Sequence, residues 1–164
     1  MRRRIQRHHA LELDLRRAIA GNQLSLAYQP IVCLETGDIK SVEALLRWQH
    51  PVEGPISPAE FIPIAEESNL ILSLSEWVFE EGMKQMAEWV ERLGPSAPQT
   101  VSLNLSRKQF AQADLADRIA TIARRNALAP ERMQLEVTEG FFASDVNEAI
   151  ATINAIQRQG MHLT

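Results

Sequence analysis

Ser41-Val42-Glu43-Ala44-Leu45-Leu46-Arg47-Trp48-Gln49-His50-Pro51 is the stretch from which the fold can be read. Val, Leu and Trp suit a pleated, half-buried surface, and His50-Pro51 and Gly54-Pro55 stop the run. Side chains alternate along a strand. Glu43, Leu45 and Arg47 therefore share one face, and Val42, Ala44 and Leu46 the other. An acid and a base on one face of an apolar strand need a reason. A solvated face or a salt bridge at a strand end is one; a site is the other.

Working outward, two later stretches repeat the pattern. In Thr100-Val101-Ser102-Leu103-Asn104-Leu105-Ser106 the apolar side chains face one way and Ser102, Asn104 and Ser106 the other. In Met133-Gln134-Leu135-Glu136-Val137-Thr138-Glu139 the split is Met133, Leu135 and Val137 against Gln134, Glu136 and Thr138. Helical spacing lies between these strands. Ser57-Pro58-Ala59-Glu60 has the form of a capping box opening a helix over residues 58–67. A second helix is expected over 73–93, with Trp77, Met83, Met86, Trp89 and Val90 as its buried stripe and Gly94-Pro95 as its stop. A third is expected over 115–126. A fourth, capped by Ser144 or Asp145, runs to about Gln159 with Ala149, Ile150, Ile153 and Ile156 inward and Gly160 at its end. Met161 to Thr164 begin another strand.

Upstream, residues 24–34 form a strand that contains Gln29-Pro30. Pro30 cannot donate to a ladder, so this strand is an edge, an end or a bulge. The turn Glu35-Thr36-Gly37-Asp38 makes it an antiparallel hairpin with the Glu43 strand. Residues 2–20 read as a helix, with Leu11, Leu15, Ala18 and Ile19 at helical spacing and Gly21-Asn22 as its stop. Its basic start, Arg2-Arg3-Arg4, opposes the helix dipole, which suggests a helix continuing from upstream. The Arg/His cluster there reads as a solvated helix end.

Composition narrows the function. The chain has 164 residues, 45% hydrophobic and 23% charged, which fits one globular domain with a core. A formal net charge of −4 provides no global field for nucleic acid polymer or anionic lipid. The one cysteine, Cys33, excludes an intrachain disulfide and fits a reducing cytoplasm; a buried, inert thiol is expected. No apolar run approaches the ~20 residues of a membrane helix, and no apolar signal core follows the basic N-terminus.

Strands alternating with helices argue a parallel sheet with helical crossovers. In a (β/α) barrel the helices lie outside, so a polar strand face is the lumen and chemistry gathers at the C-terminal strand ends. Glu43, Asn104 and Glu136 on successive strands are hard oxygen donors of the kind that suit Mg2+ or Mn2+. No His or Cys pair has zinc spacing; His8, His9, His50 and His162 read as surface or packing residues. Arg47 offers a planar fork for a phosphate, and Gln29 an amide. An open sheet with one wet face remains the bland alternative, and the helical connections argue against it.

Glu43-Ala44-Leu45, within Glu-Ala-Leu-Leu-Arg-Trp, resembles the signature of the EAL domains, bacterial phosphodiesterases that open cyclic di-GMP to linear pGpG. Tyr28-Gln29-Pro30-Ile31, Phe61-Ile62-Pro63-Ile64-Ala65-Glu66, Asn104-Leu105-Ser106 and Glu136-Val137-Thr138-Glu139 match in family order and spacing. The resemblance covers about residue 10 to the end. It implies a (β/α)8 TIM-like barrel with an antiparallel first strand, of which roughly the first half is present. It implies Glu43, Asn104 and Glu136 as metal ligands, Gln29 and Arg47 as substrate contacts, and Glu139 as an acid anchoring a loop near the active site and the dimer interface. Glu43 and Glu139 are thus the expected catalytic acids, with Mg2+ or Mn2+ activating a water against one phosphodiester. Residues 1–20 resemble a linker from an upstream GGDEF or sensory domain, and 21–164 the EAL domain itself. The family's later Asp-Asp pair, Lys and Glu have no counterpart before Thr164, and such a barrel is typically ~250 residues. The expectation is therefore an incomplete domain, catalytically dead and poorly stable alone. A non-catalytic EAL-derived binding or regulatory module is the alternative.

Overall fold

The computed structural model describes residues 2–137 and 146–164, with the side chains of 2–4 left aside. Helix α1 (Arg2–Ala20) precedes the hairpin β1 (Leu24–Val32) and β2 (Ile39–His50), which is followed by the short β3 (Gly54–Ile56). Then come α2 (Pro58–Glu67), α3 (Leu70–Leu93), β4 (Thr100–Asn104), α4 (Arg107–Phe110), α5 (Leu115–Arg125), β5 (Met133–Glu136), α6 (Val146–Arg158) and β6 (His162–Leu163).

The strands form a sheet in the order β1-β2-β4-β5-β6. β1 and β2 are antiparallel, while β2/β4, β4/β5 and β5/β6 are parallel. This is the mixed α/β arrangement expected from the sequence, including the antiparallel first strand. β1 is an edge strand, as Pro30 requires, and its register breaks between Ile31 and Val32. β3 pairs antiparallel with the last residues of β2. From sequence this segment reads as a turn, because two of the strand's three residues are Gly54 and Pro55.

Alternation places the core. Val42, Ala44, Val101, Leu103, Met133 and Leu135 point to the helix side and are buried with residues of α3, α5 and α6. Helix α3 sits close on β4 at Gly82, where an added Cβ would lie 2.7 Å from Leu103 Cδ2. A second cluster gathers Leu11, Leu15 and Ala18 of α1 with Trp48, Phe61, Ile64 and Leu74. Leu46 and Trp77 pack against both clusters and join them.

Several local expectations change. Helix α3 starts at Leu70, not Ser73, behind Asn69 in the left-handed conformation at φ 61°. Ser57 does cap α2, accepting from the Ala59 N–H at 3.3 Å. Its expected partner Glu60 instead accepts from Arg7 Nε at 2.6 Å, and Arg7 also donates to Glu53 at 2.7 Å. Arg7 of α1 is therefore engaged with acids of α2 and the β2–β3 turn. The expected cap of α6 at Ser144 or Asp145 lies outside the described residues. Gly160 ends α6 at φ +87°.

Cys33 departs from its expected role as a buried thiol. It follows the end of β1, is only half-buried, and begins the hairpin turn closed by Gly37 N–H to its carbonyl at 2.8 Å. Hydrogen bonds from the Thr36 and Glu35 backbone and the Thr36 side chain hold the thiol down to about 7, with Lys40 adding to the effect. Lowering the pKa raises the thiolate fraction at neutral pH. Alkylation of Cys33 by iodoacetamide is predicted to reach half its maximal rate near pH 7 and to shift toward the ordinary thiol value of ~8.5 on unfolding.

Candidate active site

The polar face of the sheet is built by the same alternation that fills the core. Backbone register places Gln29 opposite Glu43, Glu43 beside Ser102, Ser102 beside Gln134, and Gln134 beside His162. One step toward the C-terminal ends, Asn104 pairs with Glu136. The ladder continues through the Leu105 N–H to the Glu136 carbonyl at 2.9 Å. Glu43 and Glu136 are half-buried, whereas Gln29, Arg47 and Asn104 are exposed.

The central contact joins two of the expected metal ligands. The Asn104 Nδ2 amide donates to Glu43 Oε1 at 3.1 Å, across 61 residues of sequence. This bond orients the amide and occupies one carboxylate oxygen, leaving Asn104 Oδ1 and Glu43 Oε2 as acceptors. Two carboxylates and an amide oxygen on one face of three adjacent strands make a hard donor set that fits Mg2+ or Mn2+ chemically. Among the described residues no three His, Cys, Asp or Glu side chains gather at metal-holding distance; this set differs by using an amide as its third donor.

The remaining expected residues are placed as follows. Gln29 and Glu43 are direct cross-strand partners. Arg47 lies near the end of β2 opposite Ser25, and its Nη1 donates to the Leu46 carbonyl at 3.0 Å. Glu139 lies outside the described residues.

The chain beyond Asn104 is fixed by an element that the sequence reading missed. Ser106 caps α4 in a reciprocal box with Gln109. Gln109 Oε1 accepts from the Ser106 N–H at 3.0 Å and from its hydroxyl at 3.1 Å, while Ser106 Oγ accepts from the Gln109 N–H at 3.3 Å. Both side chains are buried. The signal was present as Ser-x-x-Gln, but four residues are too few for a hydrophobic period to mark the helix. Ser102, also buried in the polar row, has no side-chain hydrogen bond among the described residues. Sequence parity places it on this face without revealing its burial.

The sequence model of the EAL domain matches residues 12–164. The chain is 38% identical over 151 residues to the bifunctional diguanylate cyclase/cyclic di-GMP phosphodiesterase MucR of Pseudomonas aeruginosa, covering 92% of this chain and 22% of that protein. It is 31% identical over 164 residues to the oxygen sensor protein DosP of Escherichia coli, covering 100% of this chain and 20% of that protein. The solved PaMucR phosphodiesterase–c-di-GMP complex superposes with a TM-score of 0.87 at 38% identity, covering 94% of this chain and 62% of that one. The EAL enzyme Bd1971, bound to cAMP and cyclic-di-GMP, gives 0.88 at 27% identity, covering 97% and 44%. The chain thus spans about a fifth of the length of these curated relatives.

The capping box gives a direct stability test. Gln109→Ala leaves the buried Ser106 N–H and hydroxyl without their acceptor, which is expected to cost about 1–3 kcal/mol, read as a lower denaturant midpoint with an unchanged m-value.

Proposed function

The chain belongs to the EAL domain family, and on that premise we propose that it carries the metal-holding strands of a cyclic di-GMP phosphodiesterase site. The observation that carries this reading is the Asn104–Glu43 hydrogen bond, with Glu136 in register beside Asn104 on the same polar face. In this reading Glu43, Asn104 and Glu136 hold a divalent ion, Mg2+ or Mn2+. A bound ion of this kind supplies Lewis acidity and an activated water for phosphodiester hydrolysis.

The chain's own residues have separate tasks. Glu43 presents a carboxylate whose orientation is fixed by the Asn104 amide. Asn104 offers its carbonyl oxygen without adding charge, so the site keeps room for an anionic phosphodiester. Arg47, four residues along the same strand and on the same face, binds a phosphate oxygen once it leaves the Leu46 carbonyl. Gln29, opposite Glu43 on β1, orients the nucleotide from the neighbouring strand. Glu139 is assigned by family motif alone, as an acid that anchors a loop near the active site and the dimer interface.

Two similar solved structures support the ligand: the PaMucR phosphodiesterase is a c-di-GMP complex, and the EAL enzyme Bd1971 holds cAMP and cyclic-di-GMP. We assign residues 1–20 to a connection with an upstream GGDEF or sensory domain and 21–164 to the EAL domain, with homodimerisation as the arrangement that the Glu139 loop serves. Among the described residues no helix is long and apolar enough to cross a membrane.

The test is hydrolysis of cyclic di-GMP to pGpG in Mg2+ or Mn2+ by the full-length gene product. Glu43→Gln is expected to reduce the rate by at least about a hundredfold with the fold retained; an unchanged rate would remove Glu43 from the site. A second test needs no turnover. Asn104→Asp sets two carboxylates side by side, so its melting temperature is expected to fall in chelator and to recover with Mn2+ by more than the wild type gains.

A further inference from the structure

Arg47 and Glu43 are both backed by β1, through Ser25 and Gln29, but their neighbours on the other side of β2 differ. Glu43 lies in the sheet interior, paired with Gln29 of β1 on one side and Ser102 of β4 on the other. The β2–β4 register ends at Glu43, and beyond it Trp48, Gln49 and His50 pair with Ile56, Pro55 and Gly54 of β3. Arg47 therefore stands where β2 leaves the parallel sheet and enters a corner. Its place depends on what holds that corner.

His50 is the fastening of the corner. It is 7% exposed, and its Nδ1 accepts from the backbone N–H of Val52 at 3.2 Å and of Glu53 at 3.1 Å. Two donors on one nitrogen leave the ring proton on Nε2, which points to Asp14 Oδ2 of α1 at 3.2 Å. The imidazole packs edge-on against Trp48 with centroids 5.6 Å apart, and Trp48 packs against Phe61 at 5.5 Å. Trp48 Nε1 also donates to Gln23 Oε1 at 3.2 Å. An Asp–His pair invites an acid–base reading, but with Nδ1 committed to two backbone amides and Nε2 to Asp14, neither nitrogen is free to serve a substrate.

We propose that His50, held by Asp14, is a positioning residue for Arg47: the imidazole ties helix α1 to the β2–β3 turn and so fixes the strand end from which Arg47 reaches a phosphate. The inference rests on the reading of Arg47 as a nucleotide contact. It separates two contacts along one strand, since the corner governs the Arg47 share of nucleotide affinity while the sheet interior governs the metal ligand Glu43. It also couples α1, through Asp14, to the strand end: moving Asp14 alters Arg47 before it alters Glu43.

The experiment uses the full-length gene product and measures cyclic di-GMP affinity by calorimetry, Mn2+ affinity by competition, and Arg47 side-chain order by heteronuclear NMR. Asp14 also accepts from Arg17 Nη1 at 3.3 Å, on its other carboxylate oxygen, so Arg17→Ala is the control. Asp14→Ala is expected to weaken cyclic di-GMP binding by about tenfold or more, to loosen Arg47, and to leave Mn2+ affinity within about twofold. Asp14→Asn, which keeps an oxygen acceptor for Nε2–H, restores nucleotide binding. His50→Asn, whose amide oxygen can take the place of Nδ1 as acceptor for the turn amides but which lacks the reach to Asp14, repeats the loss and serves if Asp14→Ala does not fold. Wild-type nucleotide affinity in folded Asp14→Ala or His50→Asn overturns the inference. So does a parallel loss of Mn2+ affinity, which would mean general loosening. Absence of cyclic di-GMP binding by the wild type overturns the underlying reading and this inference with it.

Discussion

Everything at the candidate site depends on the parity of three parallel-paired strands. Burying Val42 and Ala44, Val101 and Leu103, and Met133 and Leu135 beneath the helices forces Glu43, Asn104 and Glu136 to the opposite face. A shift of one residue in any strand would put a carboxylate or amide into the core, at a cost of several kcal/mol per unpaired group. Hydrophobic burial thus sets the site's register, and the Asn104–Glu43 hydrogen bond is the point where that register becomes a shared polar centre.

The two apolar clusters divide the labour. One packs α3, α5 and α6 against the parallel strands and supports the oxygen donors. The other packs α1 and α2 around Trp48 and Phe61 and supports the corner at the end of β2. Leu46 and Trp77 touch both, so the strand carrying Glu43 and Arg47 is where the two units meet. A helix at the N-terminal side of the chain is thereby tied by a hydrogen bond and apolar packing to residues flanking the proposed substrate contact.

Strand alternation was legible because it is a local, strict period. It located the polar faces of β2, β4 and β5 and the antiparallel hairpin. Pairing between elements distant in sequence was not legible. Ser57-Pro58-Ala59-Glu60 has every residue of a capping box, yet Arg7 of α1 draws Glu60 away, and burial is not needed to satisfy Ser57. The box that does form, Ser106 with Gln109, belongs to a helix of four residues with no period to read. Cys33 looked like a strand residue because its neighbours Val32 and Leu34 are apolar; both are exposed at the hairpin turn. His50 looked like a packing residue and is buried as one, but its two bonded nitrogens give it a role that composition and spacing do not encode.

The most direct measurement is the anomalous scattering of Mn2+ in crystals of the full-length gene product. The account predicts a peak within about 2.0–2.6 Å of oxygen atoms from Glu43, Asn104 and Glu136 together. A peak held by other residues, or density showing any of the three side chains turned beneath a helix, would contradict it.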